Sequence, residues 1–170
     1  MRYADIYPFD ISNGTGIRVS LFVQGCDKHC LGCFNSETWD FNGGKSYHRV
    51  DTTWEILNLC KPDYIAGLSI LGGEPLNPKN IETVYNLISH FKQTYPNKNV
   101  WVWTGYTIDE LNELYSKDSI LNALLSNIDV LIDGSFIESQ KDLSLKWRGS
   151  SNQRIWVNKN GILVNETNNT

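Results

Sequence analysis

The stretch GCDKHCLGC, residues 25–33, comes one residue after IRVSLFV, residues 17–23, a largely apolar run with the length and composition of a buried strand. Cys26, Cys30 and Cys33 all lie in that short stretch. In a reducing compartment, closely spaced thiols are typical of metal binding or catalysis rather than of a disulfide framework. The sequence therefore predicts a strand that leads into a loop of three metal-ligating or catalytic cysteines.

Two kinds of metal site, as well as inert thiols, fit these cysteines. Three thiolates on one loop can bind three corners of an iron–sulfur cubane, which leaves the fourth iron open to a substrate. A structural zinc ion requires four closed ligands, and the fourth would have to be Cys60, His29 or His48. His29 lies between two of the cysteines, where its geometry is poor, and Cys60 ends an expected helix as a small core residue would. The residues favour the cluster and leave zinc and unligated thiols open.

Length and charge narrow the class of protein. The 170 residues fit one domain and are too few for a closed eight-unit β/α barrel, which takes about 250. With 15 Lys plus Arg against 19 Asp plus Glu, the chain offers no basic face to nucleic acid or to an anionic membrane. No apolar stretch is long enough to span a bilayer, and the N-terminus lacks a signal-peptide core. We therefore expect a cytoplasmic protein that binds neither nucleic acid nor membrane.

Apolar runs of strand length alternate with helical patterns along the chain. This order predicts an α/β fold in which right-handed crossovers join parallel strands. Two later apolar runs flank Lys159-Asn160-Gly161 and predict a hairpin. The expected strands cover residues 17–23, 65–71, 100–104, 130–132, 155–157 and 162–164.

Local signals predict where the helices between these strands begin. Residues 52–55 and 107–110 have the Thr-x-x-Glu spacing of capping boxes. Asn77-Pro78 is typical of an N-cap followed by the first helical residue. A further helix is expected over residues 120–125.

Chemically distinctive residues follow three more of the expected strands. Gly72 and Gly73 allow a close backbone approach, and Glu74 can accept hydrogen bonds from an ammonium group. Thr104 offers a hydroxyl and Asp133 a carboxylate at the next two strand ends. Because the carboxyl ends of parallel strands meet at one edge of a sheet, we expect these residues and the cysteines to line a single pocket. Each segment is also compatible with ordinary turn chemistry.

The Cys26-x3-Cys30-x2-Cys33 spacing resembles that of the radical S-adenosylmethionine enzymes. The resemblance implies that these three residues are catalytic and hold the metal of a [4Fe-4S] cluster, whose open iron binds the amino and carboxylate groups of S-adenosylmethionine. In that superfamily the residue before the last cysteine is often aromatic. Here that residue is Gly32, and the aromatic Phe34 comes just after the cysteine.

Further motifs resemble, in the same order, those of the activating proteins of anaerobic (class III) ribonucleotide reductases. The resemblance runs from about residue 3 to residue 157, nearly the whole chain. The motifs are CFNSETWDF at 33–41, GGEP at 72–75, WTGY at 103–106, DVLIDG at 129–134 and RGSSNQR at 148–154. The cofactor-binding residues that follow from it are Gly72, Gly73, Glu74, Thr104, Asp133, Asn35 and Phe34.

The resemblance implies a glycyl-radical-generating activase. In that family the reduced cluster cleaves S-adenosylmethionine to methionine and a 5′-deoxyadenosyl radical, which removes a hydrogen from one glycine of the reductase large subunit. The reaction requires that subunit as protein substrate and an external one-electron reductant such as flavodoxin. Reductive cleavage needs a cluster potential at the low end of the range that proteins impose.

The resemblance and the length together predict the architecture. We expect an α/β fold, specifically an incomplete, open TIM-like β/α barrel with mostly parallel strands, because an open side admits a peptide loop. Residues 1–157 would form a single radical S-adenosylmethionine domain, and residues 158–170 a C-terminal strand and polar tail.

Two other functions remain open on the sequence alone. One is a small-molecule radical S-adenosylmethionine enzyme of the 7-carboxy-7-deazaguanine synthase type, which would turn over without a protein partner. The other is a non-enzymatic zinc-binding adaptor. Arg148 and Arg154 fit a solvated loop, a partner-docking role or a contact with the cofactor carboxylate.

Overall fold

In this computed structural model, which describes residues 1–115 and 119–168, eight strands form one sheet. Its spatial order is β3-β1-β2-β4-β5-β6-β7-β8. The strands are β1 (Arg2–Asp10), β2 (Ile17–Gln24), β3 (Lys45–Ser46), β4 (Ile65–Gly72), β5 (Asn99–Trp103), β6 (Val130–Asp133), β7 (Arg154–Lys159) and β8 (Ile162–Asn165).

The centre of the sheet is parallel and both of its sides are antiparallel. β2, β4, β5 and β6 pair in parallel, as expected for crossover connections. β1 and β3 add antiparallel strands on one side, and β7 and β8 do so on the other. The α/β class is therefore confirmed, as a mixed and unclosed sheet. The expectation of mostly parallel strands holds only for the four central ones.

Four helices cover one face of the sheet. They are α1 (Asp51–Leu59), α2 (Ile81–Thr94), α3 (Ile108–Leu114) and α4 (Ser119–Asn127). The main core lies between them and the sheet, where strand residues such as Leu21 and Ile70 pack with helix residues such as Phe91 and Leu124, all 0% exposed. Burying such aliphatic and aromatic side chains contributes about 1.5–3 kcal/mol each.

The predicted helix starts were right at one site and wrong at two. Thr107 and Glu110 form a capping box at the start of α3. α1 begins at Asp51, and the Thr52 hydroxyl instead accepts a hydrogen bond from the backbone N–H of His48. α2 begins at Ile81, because residues 77–80 form a separate turn before it.

The predicted C-terminal hairpin is confirmed. Lys159 pairs with Ile162, and Asn160 and Gly161 between them both have positive φ, as a two-residue turn of the Asn-Gly type requires. Asn169 and Thr170, at the end of the expected tail, lie outside the described residues. The antiparallel strand β1 had no counterpart in the sequence prediction.

The opposite face of the sheet carries a second, smaller core. Strand side chains alternate between faces, and this face presents Trp101, Val130, Ile132 and Ile155 in one buried cluster. The indole of Trp147 packs edge-on against Trp101, with ring centroids 4.7 Å apart. Within the ranges described above, no helix has the length and apolar character needed to cross a membrane.

Candidate functional site

A cavity of about 590 Å³ opens on the face of the sheet that carries the second core. Its walls come from the ends of β2, β4 and β5 with the loops that follow them, from the residues after β1 and from the segment between β6 and β7. The residues that the sequence analysis selected and that line it are Cys26, Cys30, Cys33, Phe34, Asn35, Gly72, Gly73, Glu74 and Thr104. The structure thus brings nine of the ten selected residues to one cavity.

Backbone hydrogen bonds join the start of the cysteine loop to the segment that follows it. Gly25 N–H donates to the carbonyl of Thr38 at 2.7 Å, and Cys26 N–H donates to that of Trp39 at 3.0 Å. Within the loop, the N–H of Cys33 donates to the carbonyl of Cys30 at 3.1 Å, which closes a tight turn between the two thiols. These backbone hydrogen bonds define the conformation of the loop.

Backbone geometry explains the glycine that precedes the last cysteine. Gly32 has φ +73°, a conformation that side chains rarely adopt, and a Cβ there would overlap the carboxylate of Glu138. The aromatic ring of this loop is instead Phe34, whose centroid lies 5.1 Å from that of Phe136. An aromatic residue at position 32 would strain the backbone and displace Glu138.

The thiols fit a cluster better than a single ion. All four cysteines are free, and burial raises the pKa of Cys26 to about 11, so this thiol needs a metal to be held as thiolate. A structural zinc ion needs four closed ligands. Cys60, His29 and His48, the candidates for the fourth ligand, do not line the cavity. The three thiols that line it are the donor set of a cluster with one open iron.

Glu74 is a buried carboxylate, 1% exposed, whose hydrogen bonds connect the end of β4 with the end of β5. Its Oε1 accepts hydrogen bonds from the Thr104 hydroxyl at 2.7 Å and from Leu76 N–H at 3.0 Å, and its Oε2 accepts one from Gly105 N–H at 2.7 Å. Burial raises the pKa of Glu74 to about 7, against the opposing effect of these donors and of the Lys28 ammonium.

Gly72 and Gly73 allow the β4 end to pack against the start of the cysteine loop. A Cβ on Gly73 would lie 2.6 Å from the Gly25 carbonyl oxygen, and one on Gly72 would lie 2.9 Å from that of Val23. Backbone hydrogen bonds from Gly73 and Glu74 to the same two carbonyls hold the segments together. These glycines are needed for close backbone packing whether or not a ligand is present.

Asp133 is the selected residue that the structure does not bring to the cavity. Its neighbour Ile132 belongs to the core on the cavity face, and the pleat of β6 therefore turns Asp133 to the helix side. There its carboxylate accepts hydrogen bonds from Arg154 Nε at 2.9 Å and from Ile108 N–H at 2.9 Å. Arg148 lines the cavity, whereas Arg154 is held by Asp133.

A polar network that the sequence analysis missed lies on the same face of the sheet and reaches the cavity at Asn13. Asn13 lines the cavity, and its carbonyl accepts a hydrogen bond from the Ser69 hydroxyl at 2.6 Å. Ser69 in turn accepts one from Nε of Arg18 at 2.7 Å, and Arg18 is 0% exposed. Asn99 accepts from the same guanidinium at 2.6 Å. An Arg inside an otherwise apolar strand is the signal that could have revealed this network.

Lys28, inside the cysteine stretch, is a second lining residue that the sequence analysis passed over. Its ammonium lies 4.1 Å from the ring centroid of Tyr106 and 3.2 Å from the Glu110 carboxylate. Asp27, next to it, accepts hydrogen bonds from Asn77 at 2.9 Å and from the Tyr106 hydroxyl at 3.4 Å. The segment after β5 therefore holds the cysteine loop in place.

Comparisons with known proteins agree on one family. A family model described as a 4Fe-4S single cluster domain matches residues 12–156. The anaerobic ribonucleoside-triphosphate reductase-activating protein of Haemophilus influenzae is 45% identical over 157 residues, which cover 91% of this chain and 97% of that protein. The protein of the same name from Enterobacteria phage T4 is 41% identical over 164 residues, 95% of this chain and 97% of the phage protein. That of Escherichia coli (strain K12) is 41% identical over 157 residues, with 91% and 97% covered.

Proposed function

The chain belongs to the family of anaerobic ribonucleoside-triphosphate reductase-activating proteins, and on that premise we propose that Cys26, Cys30 and Cys33 bind the [4Fe-4S] cluster of a radical S-adenosylmethionine activase. The protein acts on the anaerobic reductase and generates a glycyl radical in it. The observation that carries this assignment is that the three thiols line one cavity with the loops that follow β4 and β5.

When bound, the cluster and S-adenosylmethionine would supply the one-electron reductive cleavage that produces the glycyl radical of the reductase. The chain's own residues bind, orient and shield these groups. Cys26, Cys30 and Cys33 would hold the cluster and would leave one iron free to bind the cofactor.

Glu74 and the two glycines before it form the part of the site that faces the cofactor's ammonium group. A carboxylate has about four lone-pair positions, and three of those on Glu74 accept hydrogen bonds from protein donors. The remaining position accepts a hydrogen bond from the ammonium group, and Thr104 keeps the carboxylate oriented toward it. Asn35 and Phe34 provide a polar and an aromatic contact from the other side of the cavity.

Asp133 supports the site from outside the cavity. Its hydrogen bond to Ile108 N–H fixes the start of α3, and α3 follows the segment that holds Glu74 and Lys28. We therefore assign Asp133 a positioning role rather than the cofactor contact expected from the sequence.

The unclosed mixed sheet is compatible with an incomplete TIM-like barrel, and we propose that its open side admits the reductase. Residues 1–157 would form the radical S-adenosylmethionine domain, and residues 158–170 would add the last strand and the tail. We also propose a cytoplasmic protein that receives its electron from an external reductant such as flavodoxin.

The alternatives are not favoured. Relatives over more than nine-tenths of the chain are activating proteins of a reductase rather than small-molecule enzymes or adaptors. A 4Fe-4S domain spans the cysteines, which also argues against a zinc-binding adaptor.

Electron paramagnetic resonance on the anaerobically reduced protein, mixed with S-adenosylmethionine and the reductase, tests the assignment. We expect a glycine-centred doublet with the unmodified chain and with Cys60→Ala, because Cys60 lies in the helix-side core. The doublet should be absent with Cys30→Ala. A colourless, iron-free and zinc-replete protein would contradict the assignment, as would turnover without the reductase.

A further inference from the structure

Lys28 places a cationic side chain inside the loop that carries the three cysteines. It lies two residues after Cys26 and two before Cys30, so its Cα lies within about 7 Å of the Cα of each. Its side chain lines the cavity that Cys26, Cys30 and Cys33 also line, and only 20% of that side chain is exposed. Lys28 therefore brings a positive charge to the wall of the cavity beside the metal-binding thiols.

Two neighbours hold the Lys28 ammonium group in one position. Its nitrogen lies 3.2 Å from Oε1 of Glu110 and 4.1 Å from the ring centroid of Tyr106. Glu110 is itself fixed, because its Oε2 accepts a hydrogen bond from the Thr107 N–H at 2.7 Å in the capping box of α3. The ion pair and the ring face together keep the charge from moving out into solvent.

The carboxylates beside Lys28 do not cancel its charge inside the cavity. Asp27 and Glu110 both lie outside the lining of the cavity. The Glu110 side chain is 50% exposed, so water and salt screen it more than they screen Lys28. Burial raises the pKa of Glu74, and the Lys28 ammonium is among the groups that oppose this shift, so its charge acts on the cavity interior. Arg148, the other cation of the lining, lies on the segment between β6 and β7.

We propose that the Lys28 ammonium raises the reduction potential of the cluster that Cys26, Cys30 and Cys33 hold, and that Glu110 limits this rise. The inference rests on the proposed function, in which these thiolates bind a [4Fe-4S] cluster. The thiolates already bring negative charge to the cavity, and one electron from an external reductant adds a further unit. A cation fixed nearby lowers the energy of the reduced form more than that of the oxidised form. No bond to Lys28 forms or breaks in this step.

The two partners of the ion pair act on the potential in opposite directions. Net charge and exposure are among the factors that place an iron–sulfur cluster within its range of potentials. Lys28 moves the potential toward values that an external reductant can reach. Glu110 opposes that move and keeps the cluster strongly reducing. Because the contributions differ in sign, separate variants can remove them one at a time.

A redox titration of the cluster-loaded protein, followed anaerobically by electron paramagnetic resonance without S-adenosylmethionine or the reductase, tests this proposal. Lys28→Met keeps most of the length of the side chain and removes its charge. We expect a more negative midpoint potential. At the midpoint of the unmodified chain, the ratio of reduced to oxidised cluster should fall about fivefold. Lys28→Arg, which keeps the charge, should restore the ratio.

Glu110→Gln is the variant of opposite sign. It leaves Lys28 without its partner carboxylate, so we expect the same ratio to rise, by about twofold because Glu110 is well screened. Lys45→Met is the matched control, since Lys45 also pairs with one carboxylate, that of Asp5 at 3.0 Å, but lies outside the lining of the cavity. We expect its ratio to equal that of the unmodified chain.

An unchanged midpoint potential in Lys28→Met, or shifts of the same sign in Lys28→Met and Glu110→Gln, would overturn the proposal. If Lys28→Met takes up too little iron to be titrated, Glu110→Gln decides, and a ratio that does not rise overturns the proposal equally. Iron and sulfide analysis, with the glycyl-radical signal of the unmodified chain, separates these outcomes from a failure of the proposed function. A chain that binds no cluster or forms no radical contradicts that function, whereas a loaded and active chain with an unshifted variant contradicts only the role of Lys28.

Discussion

The two faces of the central sheet bury very different side chains. β2 and β4 turn Val19, Leu21 and Ile70 toward the helices, whereas their other face buries Arg18 and Ser69. The first face is stabilised mainly by apolar burial, and its apolar positions follow from periodicity. The second face retains polar groups that must be paired to be buried, and it is the face that carries the site.

The largest effect is expected on the helix face, from Phe91→Ala. Phe91 is 0% exposed in the main core, and truncating a buried Phe costs about 3–5 kcal/mol of the free energy of unfolding. Urea unfolding measures this loss, and iron analysis of the folded fraction should show no change. Loss of iron from the folded protein would mean that the two faces are not independent.

On the cavity face, Arg18→Met should cost about 3 kcal/mol. The substitution leaves Ser69, Asn99 and the Leu68 carbonyl without the donor that satisfies them in a buried site. Burial lowers the pKa of Arg18 to about 10, so it remains charged at neutral pH. Arg18→Lys, which keeps part of the donor set, should lose less. A Met variant as stable as the unmodified chain would show that the network contributes nothing to stability.

The pH dependence of the free energy of unfolding tests the raised pKa of Glu74. Burial raises the pKa of Glu74 from 4.5 to about 7, so the folded state holds this proton where the unfolded state has released it. Stability must therefore fall as pH rises through this window, by about 2.5 kcal/mol between pH 5 and 8. Urea unfolding of the cluster-free protein across this range measures the slope.

Glu74→Gln provides the reference for that measurement, because it cannot titrate. Relative to Glu74→Gln, the free energy of unfolding of the unmodified chain should fall by about 2.5 kcal/mol between pH 5 and 8. A constant difference in stability between the two proteins does not affect this comparison. Parallel pH profiles would mean that Glu74 is ionised throughout, in which case its three donors outweigh its burial.

The same contrast explains how much the sequence could reveal. Three kinds of local signal gave correct predictions. The continuous apolar runs predicted the central strands, and the Asn-Gly turn predicted the last hairpin. The cysteine spacing after a strand end predicted that the cysteines line the cavity. The prediction that Asp133 lines the cavity was wrong. The face of the sheet on which the last residue of a strand lies depends on the strand register, which the sequence leaves open. Arg18 was passed over because its partners lie far along the chain, at Ser69 and Asn99.

The smallest effect concerns two capping boxes that look alike in the sequence. Only Thr107 accepts the hydrogen bond that defines the box, from Glu110 N–H at 3.1 Å, so Thr107→Ala should cost about 1 kcal/mol. Glu55 closes no box, because α1 begins at Asp51 with no side-chain cap, so Glu55→Ala should stay within about 0.5 kcal/mol. Urea unfolding of both variants decides the matter. A loss for Thr107→Ala no larger than that for Glu55→Ala would show that the cap contributes nothing to stability.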